Sequence, residues 1–371
     1  MEGDPTKPDW SPPDAGPEFA VRIVPAAGPT RQPGATGPKR RRLDTSDTIA
    51  GIKSGDRMTL ARAITLVESD APVHFRQAQE VLSGVMAHTG NAVRIGITGV
   101  PGVGKSTFIE AFGLHLCRSG HKVAVLAVDP SSSLTRGSIL GDKTRMERLA
   151  REPQCFIRPS PSSGHLGGVT RKSRETLLLC EAAGFDVILI ETVGVGQSEI
   201  TVRSMVDFFL LLALTGAGDE LQGIKKGVIE LADAIVINKA DGDNRQKAAN
   251  TRREYANALR YLHPATDGWT TKAGTCSSLN GEGIPEVWTM IEDFRSTALE
   301  SGVFVKRRQH QLLEWMQTLV LDKLQARFLH HPSVAAARQD LEDQVTAGTL
   351  PVATAVNRLL RAAWPIAERG Q

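Results

Sequence analysis

The stretch VRIGITGVPGVGKSTFIEAFG, from Val93 to Gly113, restricts the possible fold more than any other part of the chain. It carries G-x-x-x-x-G-K-[ST] as Gly99, Gly104, Lys105 and Ser106, with an apolar run before it and a helical pattern after it. Strand, loop, then helix is the context that a phosphate-binding loop requires. Gly99, Gly102 and Gly104 let the backbone turn sharply and approach anionic oxygens without Cβ clashes. Successive N–H groups then point inward, and the helix opening at Lys105 adds its positive end. Lys105 supplies a charge to the β- and γ-phosphates, and Ser106 can ligate Mg²⁺. The run Gly99, Val100, Pro101, Gly102, Val103, Gly104, Lys105, Ser106 and Thr107 is therefore expected to hold phosphates. The loop does not say which base the nucleotide carries.

Between residues 91 and 296 short apolar runs alternate with helical segments. The runs are AVRIGIT, KVAVLAV, DVILIE, DFFLLLAL and DAIVIN. Because they are continuous rather than alternating, they predict strands buried on both faces. The expected fold class is α/β, a P-loop domain with a mostly parallel sheet flanked by helices. Two N-terminal helices are expected over 49–90, one in DRMTLARAITLVES with Asp56 or Ser54 as its cap, the other from His74 to His88. Residues 297–371 read as a C-terminal helical arm, through HQLLEWMQTLVLDKLQARFL, SVAAARQDLEDQVTAG and PVATAVNRLLRAAW. Residues 1–48 hold nine of the 20 prolines. With few large apolar side chains to bury, they read as a disordered tail.

The base is read from DAIVINKADGDN, which places Asn238, Lys239 and Asp241 directly after a strand. Asp241 can accept from guanine N1–H and the exocyclic amine. Adenine offers no donors there and would leave a buried carboxylate unpaired. Such a mismatch discriminates by about 10⁴ or more. Asn238 braces the loops, and the stem of Lys239 covers the base. The later SSLNGEGI adds Ser277, Ser278 and Leu279, whose backbone is expected to close over the guanine. The nucleotide is GTP.

The net charge is only +3 and is dispersed, with no basic stripe of the kind that binds nucleic acid. Cys117, Cys155, Cys180 and Cys276 lie far apart, so neither a disulfide framework nor a zinc site is expected. No apolar run is long enough for a membrane span. No signal peptide is expected, and the localisation expected is cytoplasmic.

Three carboxylates follow strands or lie in adjacent loops: Asp129 in LAVDPSSS, Asp142 in RGSILGDKTRM and Glu191 in DVILIETVGVGQSE. Each is a candidate Mg²⁺ ligand with Ser106, directly or through water. Asp129 reads equally well as a turn residue and Asp142 as a helix N-cap. Where most GTPases have D-x-x-G, this chain has Glu191-Thr192-Val193-Gly194.

Together, GVPGVGKST, VDPSSSLTRGSILGDKTRM, SPSSGHLGGVTRKSRE, ETVGVGQSE, GDELQGIKKG, NKADGDN and SSLNGEG resemble the MeaB/ArgK/MMAA family, GTPase chaperones of methylmalonyl-CoA mutase. The resemblance covers about residues 50–365. It implies that Lys105, Asp129, Asp142, Glu191 and Gly194 serve hydrolysis, with Gln197 in the same loop. It implies that Gly216 to Gly227 form a further switch toward the mutase, with Asp219, Glu220, Lys225 and Lys226 as contacts. It implies adenosylcobalamin on the partner enzyme, GTP/GDP and Mg²⁺ on this chain, and a homodimer built through the C-terminal helices. Two rival functions are a GTPase metallochaperone for a nickel enzyme and an ATP-using transport-system kinase. The first wants a Cys/His cluster near the switch loops, and the second conflicts with Asn238 and Asp241.

Overall fold

The computed structural model describes residues 44–128, 146–159, 166–192, 198–215 and 226–364. Asp129, Asp142, Gly194, Gln197, Asp219, Glu220 and Lys225 lie outside them.

A seven-stranded sheet runs in the order β3-β2-β4-β1-β5-β6-β7. Its strands are β1 Val93–Gly99, β2 Val123–Val128, β3 Cys155–Arg158, β4 Val187–Thr192, β5 Phe208–Ala213, β6 Ala234–Ile237 and β7 Lys272–Thr275. Every pairing between these strands is parallel. The five expected runs supply β1, β2, β4, β5 and β6. The edge strands β3 and β7 were not anticipated. β2, β4, β5 and β6 are buried along their whole length, as continuous apolar runs require.

Helices cover both faces. On one, α4 (Lys105–Arg118) packs beside the later α10 (Ile284–Glu300). Val93, Ile95 and Ile97 of β1 join Phe108, Phe112, Ile291 and Phe294 in one core there. Each such buried side chain contributes about 1.5–3 kcal/mol. On the other face lie α1 (Thr45–Lys53), α2 (Arg57–Val67), α3 (Pro72–Val85) and α6 (Leu166–Ala182). Ile52, Leu60, Ile64, Val81 and Val85 meet Leu177, Leu179, Ile188 and Ile190. The N-terminal helices thus belong to the sheet's own core. Asp56 caps α2, its carboxylate accepting from Met58 N at 3.3 Å and Thr59 N at 2.9 Å. Contacts with Thr59 hold that carboxyl below its usual range.

Three expected boundaries move. α1 starts at Thr45, four residues inside the segment read as a tail, because Asp44 accepts from Thr45 N at 2.8 Å and caps the helix. The expected pair of N-terminal helices is three, with a 3₁₀ turn at Met86–His88. α10 runs unbroken past residue 297, where the arm was expected to begin, and ends before Gly302 at φ 72°. Beyond it come α11 (Val303–Leu329), α12 (Pro332–Thr346) and α13 (Val352–Ala363). Between these elements lie the short helices α5 (Glu147–Ala150), α7 (Ser198–Arg203) and α8 (Lys226–Leu231), and the longer α9 (Asn244–Leu259). No helix among the described residues is long and apolar enough to cross a membrane.

Candidate nucleotide site

The site stands where the C-terminal ends of β1, β4, β5 and β6 meet. Pairing of Ile97 with Glu191 and of Gly99 with Leu212 sets these ends side by side. β1 ends in the phosphate loop, and α4 begins at Lys105 with the left-handed Gly104, φ 91°, before it. A Cβ on Gly99 would stand 2.5 Å from the Leu212 carbonyl, so only glycine lets β1 leave the sheet this close to β5. Val103 is fully buried, so what it offers a ligand is backbone. Pro101, Gly102 and Thr107 face outward.

Lys105 Nζ donates to Gly99 O at 2.9 Å, holding the ammonium over its own loop. Burial lowers its pKa, while the charges of Glu191 and Glu199 oppose that shift. Ser106 Oγ donates to Glu191 Oε1 at 3.3 Å. Glu191 is buried at the end of β4. A hydroxyl and a carboxylate, both hard oxygen donors, therefore converge beside the loop lysine, a donor set that suits Mg²⁺.

The base side is built on β6 and the turn after β7. Asn238, 1% exposed, bridges two loops. Its Nδ2 donates to Val103 O at 2.9 Å. Its Oδ1 accepts from Ser278 N at 3.2 Å and Ser278 Oγ at 2.8 Å. Lys239 is the single non-glycine residue with positive φ among the described residues, at 59°. That conformation aims its side chain back over the phosphate loop, where Nζ donates to Gly102 O at 2.8 Å. The Ser277 hydroxyl donates to Asp241 Oδ2, joining the two sequence motifs expected to read guanine. Leu279 is 85% exposed at the rim.

Sequence reasoning missed two supports of this half. Gly283, at φ 76°, packs so closely that a Cβ would fall 2.3 Å from Thr275 O. Arg245 forks onto Glu282, its Nη2 lying 2.5 and 2.6 Å from the two carboxylate oxygens. The glycine was visible in SSLNGEG, a stretch read only for the backbone expected to close over the guanine. The ion pair had no sequence signal.

The MeaB family, described as methylmalonyl Co-A mutase-associated GTPase, matches residues 60–333. This chain belongs to the MeaB family. A probable GTPase of Mycobacterium bovis is 54% identical over 321 residues, which is 86% of this chain and 96% of that protein. The mitochondrial methylmalonic aciduria type A homolog of Mus musculus is 46% identical over 322 residues, 84% of this chain and 78% of that one. A crystal structure described as a LAO/AO transport system kinase superposes with a TM-score of 0.70 at 40% identity, covering 86% of this chain and 98% of its own. As a MeaB-family protein, the chain is a GTPase of the P-loop class, hydrolysing GTP to GDP and phosphate.

Proposed function

We propose that this MeaB-family GTPase is the chaperone of an adenosylcobalamin-dependent acyl-CoA mutase, methylmalonyl-CoA mutase or a close relative. In this reading it gates cofactor loading and protects or reactivates the enzyme. The observation that carries it is the match over residues 60–333 to a family described as mutase-associated. The mouse relative's name, methylmalonic aciduria type A homolog, supports it. GTP binds this chain, and adenosylcobalamin belongs to the partner.

Hydrolysis adds water to the γ-phosphorus and breaks its bond to the β-phosphate bridging oxygen. Lys105 and the loop N–H groups neutralise the charge that builds up. Ser106 and Glu191 would hold Mg²⁺, joined by Asp129 and Asp142 directly or through water. The ion, when bound, neutralises charge on the phosphate oxygens. Gly194 and Gln197, which follow Glu191 in sequence, answer the presence of the γ-phosphate in this reading. Asn238, Lys239 and Asp241 select guanine, with the Ser277–Leu279 backbone closing over it.

GTPases of this kind are slow until a partner supplies or positions a missing group. Asp219, Glu220, Lys225 and Lys226 form the contact through which the mutase does this. Mutase and nucleotide are then coupled reciprocally: each changes the other's affinity by the same factor. The dimer forms through the apolar faces of α11. Leu313 and Met316, each 56% exposed, support this, as do the exposed Leu312 and Val320.

The test mixes the chain with candidate cobalamin-dependent acyl-CoA mutases and measures two quantities, the GTPase rate and mutase affinity in the GTP and GDP forms. We expect both to change, and Lys225→Ala with Lys226→Ala to blunt the acceleration while sparing GTP binding. If no such mutase alters either quantity, the chaperone function fails and the GTPase stands alone.

A further inference from the structure

A cavity lies far from the phosphate loop. Arg94 stands near the N-terminal end of β1, whereas the phosphate loop follows its C-terminal end, roughly 20 Å away along a strand of this length. Beneath that far edge, between α6 and α11, is a cavity of about 130 Å³. That is well above the roughly 10–15 Å³ that one water needs. Leu177, Leu178 and Met205 give it apolar walls, and Arg94, Arg174, Arg308, Gln311 and Trp315 bring polar groups.

The charges do not balance. Arg94 is matched by Glu181 at 2.8 Å, and Arg308 by Asp207 at 2.6 Å. Arg174, only 7% exposed, has no carboxylate within 4 Å among the described residues. Its Nη1 donates to Gln311 O at 3.2 Å, and its Nη2 to Ser204 O at 2.6 Å and Ser204 Oγ at 2.9 Å. Its Nε–H donates to nothing. The Trp315 indole, 5.6 Å from the guanidinium carbon, keeps an unpaired Nε1–H, and Gln311, 5% exposed, keeps an unpaired Oε1. Burial, with Arg94 nearby, pushes the Arg174 guanidinium down to about 10. Glu314 acts on it in the opposite direction, from the surface of α11, where it pairs with His310 at 3.1 Å.

Two of these atoms, Arg174 Nε–H and Trp315 Nε1–H, are donors on side chains lining one cavity with nothing to accept from them, whereas Gln311 Oε1 is an acceptor and takes no part in holding an anion. The geometry points to a binding site for a small carboxylate with a short apolar tail. Its oxygens would accept from Arg174 Nε–H and Trp315 Nε1–H, and its tail would lie against Leu177, Leu178 and Met205. The cation would gain its missing counter-charge without disturbing the Arg94–Glu181 and Arg308–Asp207 pairs.

The probe is butyrate, with butyramide as its neutral isostere and inorganic phosphate as the competing anion. The readout is the Trp315 indole N–H resonance in the full chain, assigned by its loss in Trp315→Phe. We expect a saturable shift with butyrate, none with butyramide, and at least about tenfold weaker binding in Arg174→Gln, since a charge-assisted hydrogen bond is lost. GTP binding by that variant serves as the check of folding. Should it not fold, Gln311→Glu places a rival carboxylate in the cavity and must weaken butyrate by a similar factor. A non-saturating shift, an equal response to butyramide, or unchanged affinity in the variant that folds would each overturn the site and leave a cavity that holds water only, and tighter binding of phosphate would overturn the carboxylate in favour of an inorganic anion.

Discussion

The Ser106 hydroxyl reaches across from the first turn of α4 to Glu191 at the end of β4, donating to Oε1 at 3.3 Å. One residue belongs to the loop that binds phosphates and the other leads into the segment that contains Gly194. Their meeting puts an anionic oxygen beside the loop, in line with the Mg²⁺ role proposed for the pair. Glu191→Gln keeps the shape and removes the charge. Turnover should fall on the order of 10²-fold, as when one electrostatic stabiliser is removed, with a smaller effect on GDP affinity. Single-turnover hydrolysis against a Mg²⁺ titration separates the two. Equal losses in both would place Glu191 in nucleotide binding alone.

Asp241 accepts from Ser277 and stands with Asn238 and Lys239 after β6. Asp241→Asn exchanges an acceptor for a donor at the base. GTP affinity should drop and xanthosine triphosphate should become the better ligand, because xanthine presents an oxygen where guanine presents its amine. Competition binding reads the change. Wild-type protein that bound ATP as tightly as GTP would contradict the role given to Asp241.

Lys105 titrates below its ordinary value of 10.5 because it is buried, with Glu191 and Glu199 only partly offsetting this. The sign follows from a buried cation. Its charge costs stability below the depressed pKa, and that cost disappears as pH rises through it. GTP needs the charged form, so kcat/KM should decline with rising pH over that same window, below 10.5. Lys105→Arg should flatten the alkaline limb, and Lys105→Ala should lose on the order of 10²-fold at neutral pH. A pH–rate profile in which the wild-type limb lies at or above the ordinary lysine value would refute the assignment.

Gly283→Ala places a methyl group 2.3 Å from Thr275 O on a backbone at φ 76°. The turn carrying Ser277 and Ser278 must shift. A loss of about 1–3 kcal/mol in stability is expected, with weaker guanine discrimination. Thermal denaturation and GTP-over-ATP selectivity measure the two effects. Gly281→Ala is the control: that glycine also has positive φ but nothing within 4 Å of its Cβ position. It should lower stability less and leave base selectivity alone.

Leu313→Glu combined with Met316→Glu puts charge on the exposed face of α11. If that face is the dimer seam, light scattering should move from a dimer to a monomer mass while GTP hydrolysis persists. A wild-type monomer at high micromolar concentration would remove the seam.

Much of this molecule could be read from order along the chain, because its chemistry is local. Gly99 to Thr107 form one continuous segment from strand end through loop to first helical turn, Asn238 to Asp241 one short connection, and both come with strands apolar enough to declare themselves. The edge strands β3 and β7 did not. Cys155–Arg158 and Lys272–Thr275 are four residues each, and β7 reads KAGT, with an exposed lysine and no apolar run. β7, paired on one side only, need not be apolar on both faces, so the pattern that reveals a central strand is missing there; β3, CFIR, is apolar and buried on both faces, but its run is too short to declare a strand.

The sequence by itself determined the phosphate loop, the preference for guanine and a parallel sheet between helices. Each follows from residues a few positions apart whose backbone geometry is set by glycines, caps and strand ends. Tertiary structure alone decided that Ser106 faces Glu191, that Asn238 ties Val103 to Ser278, and that Gly283 has no room for a side chain. It alone gathered Arg94, Arg174 and Arg308 at one cavity and left only Arg174 without a carboxylate. Ion pairing and burial depend on distances between segments far apart in the chain. Those distances exist only once the sheet order is set and the helices are packed on its faces.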